Sequence, residues 1–231
     1  MRATILRPLC LVLLLATTCT AFGAGGGEMP SRPMGGSSSP PPSPEEQARS
    51  AYNTGVKVVE KADGLSADAA HQADPKKQSK ALDKAQDGYA SALKKFTRAT
   101  ELNPSMHEAW NYVGYTNRKL GKYDAALAAY DRALTLKPGY PEAIEYRGHA
   151  YLGLNRLDDA KSAYLALFSS NRKLAAQLLA GMQTWVGEHR GNAAGVDGAS
   201  LDSFASWVSE RSKIAGQTVG LTREGATSAW K

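Results

Sequence analysis

Residues 107 to 140, HEAWNYVGYTNRKLGKYDAALAAYDRALTLKPGY, constrain this chain more than any other stretch. Within them Trp110, Gly114, Ala126, Tyr130, Ala133 and Pro138 set out a pattern of small, large and helix-breaking residues. A shift of 34 residues forward meets Gly148, Ala160 and Tyr164, and the same shift back meets Ala92, Phe96, Ala99 and Pro104. Self-similarity at such a period marks stacked copies of one supersecondary unit, each burying its apolar face against the next. The residue types fit close-packed helices. Gly114 and Ala126 are small where two helices cross, Tyr130 fills the wedge between them, and Ala133 admits the next unit. Pro138 stops the second helix and Gly139 turns the chain. Gly121 and its counterpart Asn155 are both suited to a left-handed helix C-cap.

These residues closely resemble a tetratricopeptide repeat, the helix-turn-helix unit of that length. The resemblance implies an all-α, right-handed helical stack of about three repeats over 47–168, divided at 47–106, 107–140 and 141–168. The first repeat is interrupted. Gly55 stands where a first-helix glycine belongs, yet 37 residues separate it from Ala92, whereas 12 separate Gly114 from Ala126. The excess, about 64–88, is polar, with Gly64, Pro75 and Gly88 as expected breaks, and extends the helices or loops out at one edge. Repeat three departs from the pattern at Arg147, at Leu167 and in having no proline near Arg172. Two amphipathic segments follow, one carrying Leu174, Leu178, Met182, Trp185 and Val186, the other Leu201, Phe204, Ala205 and Val208. They are expected to close the stack as C-terminal capping helices over 171–215, leaving 216–231 as a flexible tail.

Residues 1–23 carry Arg2 and Arg7, a short apolar run from Leu9 to Ala16, and small residues at Ala21 and Gly23. That is the pattern of a secretory signal peptide, with cleavage after Ala21 or Gly23. The chain is therefore expected to be exported, to the periplasm of a bacterium in the first instance, with lipid attachment at Cys19 or secretion as alternatives. No membrane span is expected after cleavage. Cys10 and Cys19 are the only cysteines and would leave with the signal, so no disulfide is expected. Residues 24–46, rich in Pro, Gly and Ser, read as a disordered linker. A net charge of +6 falls to +4 once Arg2 and Arg7 are set aside, and the remaining lysines are scattered among acids, so no nucleic-acid partner is expected.

His71, His107, His149 and His189 lie in separate segments, and no hydrolase, metalloprotease or phosphate-loop motif is present. Neither an enzymatic activity nor a cofactor or metal is expected. The resemblance instead implies a groove along the first helices, lined by Asn111, Tyr112, Tyr115 and Arg118 in repeat two and by Glu145, Tyr146, His149 and Leu152 in repeat three. A tyrosine-rich stripe with a few polar groups suits contact with a peptide or helix of another protein. The alternative is that Tyr112 and Tyr146 pack between repeats. Within the family, repeats that clamp a C-terminal carboxylate use Lys, Asn and Arg at positions held here by Tyr52, Val56, Tyr112, Glu142 and Tyr146, so that mode is disfavoured. His149, if exposed, would make binding sensitive to pH. The expected function is a non-catalytic interaction scaffold of the cell envelope; the second reading is a structural, self-associating oligomer.

Overall fold

The computed structural model describes residues 41–191 and 195–227, with side chains of the last helix described as far as Gln217. The expected signal peptide, both cysteines and most of the expected linker lie outside the described residues.

Eight helices make up the described chain: α1 (Pro44–Ala70), α2 (Pro75–Leu102), α3 (His107–Lys119), α4 (Tyr123–Leu136), α5 (Pro141–Gly153), α6 (Leu157–Ser170), α7 (Arg172–His189) and α8 (Gly198–Thr227). Each packs on its neighbours in chain order, and α3 also meets α5 while α5 meets α7. This is the helical repeat expected from the period. The polar stretch around 64–88 lengthens both helices of the first pair. Gly64 and Gly88 are not breaks: both lie inside helices. Nothing crowds Gly64, whereas a Cβ on Gly88 would come within 2.9 Å of the Ala62 Cβ, so this glycine permits a close crossing of α1 and α2. Pro75 does act as a boundary, at the start of α2, where the Asp74 carboxylate accepts from the Lys76 and Lys77 amides.

Local signals begin and end the elements at identifiable residues. At the start of α1 the Ser43 hydroxyl accepts from the Glu46 amide while the Glu46 carboxylate accepts from the Ser43 amide, and Pro44 holds the first turn. The helix thus begins inside the segment 24–46 expected to be linker. Asn171 closes α6 and caps α7, its side chain accepting from the Leu174 amide. By contrast α3 to α6 have no side-chain N-caps and are 13 or 14 residues long. Helices of that length owe most of their stability to packing. Gly121 and Asn155 both take positive φ, 72° and 58°, at equivalent turns, as expected, and Gly139 does so at 74°.

The packing follows the period. Gly114 lies against the Tyr130 ring, so closely that a Cβ there would overlap it, and Gly55 holds the same relation to Phe96 at 2.7 Å. Ala92, Ala99, Ala126, Ala133 and Ala160 are all fully buried. Gly148 instead accommodates Leu178 of α7. Trp110 anchors the loop before α3, donating from Nε1 to the Pro104 carbonyl at 3.0 Å. The core is uneven along the stack. Three small clusters, around Phe96, Tyr89 and Tyr130, hold the N-terminal repeats. One large cluster joins Leu152, Tyr164 and Leu167 to Leu178, Met182, Trp185, Phe204 and Val208 across α5 to α8. Arg147, one of the departures of repeat three, pairs with Asp131 of α4 at 2.7 Å. The last helix continues through the segment 216–231 expected to be tail, as far as Thr227.

Candidate first-helix interface

The first helices of successive pairs, α1, α3 and α5, share a row of rings. Tyr52 of α1 meets Tyr112 of α3 edge to face at 5.6 Å, and Phe96 stacks on Tyr112 at 4.8 Å. Tyr112 leads to Tyr115 at 6.1 Å, and Tyr115 to Tyr146 of α5 at 5.0 Å. The one-turn spacing of positions 112, 115 and 146 within their repeats brings them to one face. All three are half-buried, so they both pack between repeats and leave edges uncovered. The two alternatives posed by the sequence therefore coexist in the same side chains.

Charge fixes this row in place. Asp63, on the lengthened part of α1, accepts from the Tyr89 hydroxyl at 2.6 Å and from the Tyr115 hydroxyl at 2.7 Å, and pairs with Lys119 at 3.4 Å. The Lys119 ammonium also lies 5.1 Å from the Tyr89 ring and 5.8 Å from the Tyr115 ring. The Arg118 guanidinium lies 5.2 Å from Tyr115 and 5.7 Å from Tyr146. Burial works against the Arg118 charge, but Tyr130, Tyr115 and Glu145 outweigh it and raise its pKa. The Tyr130 hydroxyl and the Arg118 Nε are buried without a close hydrogen-bond partner of their own, yet near enough for charge to couple them. Burial, then neighbouring acids and phenols, pushes the Tyr52 and Tyr146 hydroxyls up to about 12. Tyr89 and Tyr115 are raised further, by burial first and then by the bond to Asp63.

The remaining expected groove residues divide. Glu145 is buried and its Oε1 lies 2.8 Å from His149 Nε2. The His149 ring also abuts Gly181 of α7, where a Cβ would overlap it, so α7 covers one side of the imidazole. Asn111 is 2% exposed, and its Oδ1 meets no donor. Leu152 does not belong to this face: at 3% exposure it is part of the C-terminal cluster. Its position is the twelfth of repeat three, equivalent to Arg118, but α7 packs over α5 there and takes it into the core. Asp63, Lys119 and Tyr52 join this face although the groove expected from the sequence did not include them, and Tyr89, itself in the core between α1 and α2, supports it from beneath. A carboxylate one turn beyond the repeat's apolar face was the available signal for Asp63, but the insertion hid its register. Among the described residues, no group of three or more His, Cys, Asp or Glu is placed to hold a metal, and no helix is long and apolar enough to cross a membrane.

Residues 77–141 match one tetratricopeptide repeat family model, and residues 118–182 match a second, which runs into α7. No curated protein matches the chain. One solved structure, the first TPR of Spaghetti (RPAP3) bound to the HSP90 peptide SRMEEVD, is 22% identical, covering 54% of this chain and 93% of its own, with a TM-score of 0.38.

Proposed function

Given that residues 77–182 belong to the tetratricopeptide repeat family, we propose that this protein is a non-catalytic interaction scaffold that binds a peptide or helix of a partner along its first helices. The observation that supports this reading is the row Tyr52, Tyr112, Tyr115 and Tyr146, tied together across α1, α3 and α5 and still partly open to solvent. Tyrosines already immobilised by neighbours lose little side-chain entropy on binding, which favours them as contact residues. The pattern of residues 1–23 supports export, and a periplasmic setting, for the same scaffold.

The test is capture of partners from the envelope fraction by cross-linking, comparing the wild type with a Tyr112→Ala, Tyr146→Ala double variant whose fold is verified by circular dichroism. A partner caught by the wild type and lost by the variant is the expected result. Retention by both would move binding off this face. Absence of the protein from the envelope fraction would remove the proposed setting. Self-association, the alternative offered by the sequence, is the second reading. Mass measured against concentration by sedimentation distinguishes it.

A further inference from the structure

The first-helix face holds two of the chain's own cations in one recurring arrangement. Lys119 lies over Tyr89 and Tyr115 with Asp63 as its counter-charge. Arg118 lies over Tyr115 and Tyr146 with Glu145 nearby. The same ingredients recur toward the N-terminal end of the row. Tyr52 and Tyr112 meet edge to face, Glu108 is within electrostatic reach of the Tyr52 hydroxyl, and Glu60 of the Tyr112 hydroxyl. Among the described residues no Lys or Arg lies over either ring. A cavity of about 470 Å³ opens beside Tyr52, with Glu45, Arg49, Met106 and Glu108 also on its walls. Ring faces flanked by carboxylates attract a hydrogen-bond donor with positive charge.

We propose that the partner segment is basic, and that one of its Lys or Arg side chains enters beside Tyr52 and Tyr112 with Glu60 and Glu108 as counter-charges. The proposal rests on the first-helix face being the binding surface. The basic groups that face this end are Arg49, which also lines the cavity and interacts with Glu46, Lys137, which lies 4.7 Å from the Tyr140 ring, and His107, whose Nδ1 lies 3.2 Å from a Glu108 carboxylate oxygen, leaving the other oxygen for an incoming donor. Glu45 and Glu142 stand against them, Glu45 on the cavity wall and Glu142 beside the Tyr140 hydroxyl. The chain as a whole, at +6, repels a basic peptide, so attraction has to come from this local field.

The experiment is fluorescence anisotropy of a labelled peptide of alternating Lys and Ala, and of its Glu and Ala counterpart, against the full chain. The Lys peptide binds and the Glu peptide does not; a Glu60→Gln, Glu108→Gln variant weakens binding by about tenfold, and added salt does the same. A Tyr52→Leu variant with unaltered circular dichroism weakens it without changing the charge. The inference is overturned if the Lys peptide fails to bind, binds the Gln variant equally well, or is bound less tightly than the Glu peptide. Partner capture that is lost with Tyr112→Ala, Tyr146→Ala but untouched by the Gln variant removes this inference and leaves the face itself standing. Capture retained by both variants removes the two together.

Discussion

Asp63 is the residue on which most of the polar geometry turns. It takes two phenolic hydrogens and an ammonium, and its loss strands the Tyr89 and Tyr115 hydroxyls in surroundings that already disfavour their charge. Asp63→Ala is expected to lower stability by about 1–3 kcal/mol in chemical denaturation. The Lys119 part of that is small because both partners are partly exposed. An unchanged midpoint would mean that water replaces the carboxylate without cost. Ala126 is the apolar counterpart: on α4 and fully buried, it has no room for the three further carbons of a leucine. Ala126→Leu is expected to cost about 1–3 kcal/mol by overpacking, read from the same curve. The period in the sequence announced Ala126, whereas the insertion hid the register of Asp63, whose importance comes from partners 26 and 52 residues away.

At the level of elements, the helices and their turns were legible because each was marked by a residue with a local physical effect. Gly121 and Asn155 do take left-handed conformations, and Pro75 does start a helix. Gly88 misled for the same reason: glycine that permits a close helix crossing is indistinguishable, residue by residue, from glycine that ends one, and Gly64 lies within α1 with nothing close to it. The character of α7 was only half legible. Its apolar face was plain, but that it lies on α5 as a further first helix, drawing Leu152 into the core, depends on Gly148 and Gly181 receiving Leu178 and His149. A chain ending at Ser170 is therefore expected to lose more than an end cap. It uncovers Tyr164 and Leu167, which are otherwise buried against residues such as Leu178, Met182 and Phe204. At about 1.5–3 kcal/mol for each large side chain, the two together lose about 3–6 kcal/mol, which reaches the lower end of an ordinary domain's stability. Thermal unfolding by circular dichroism should show no cooperative transition for α5 and α6, and a transition kept intact would contradict it.

For the whole molecule, the buried tyrosines predict its behaviour in alkali. The Tyr52 and Tyr146 hydroxyls are raised to about 12, against about 10 in an unfolded chain. The folded state thus holds these protons more tightly than the unfolded state. Their contribution is complete below about pH 10 and disappears as the pH rises toward about 12. Denaturant midpoints should fall across that range, with tyrosinate absorbance from the row emerging only as the fold is lost. A row that ionises near pH 10 while circular dichroism stays native would refute the assignment. The unevenness of the core has a further consequence, for the order in which the chain is made. Synthesis delivers α1 and α2 before the helices that carry the large cluster, so the nascent chain must first stand on the small clusters around Phe96 and Tyr89. The two lengthened helices, 27 and 28 residues, give it a hairpin with a long mutual seam at the moment when no later repeat is yet available to lean on.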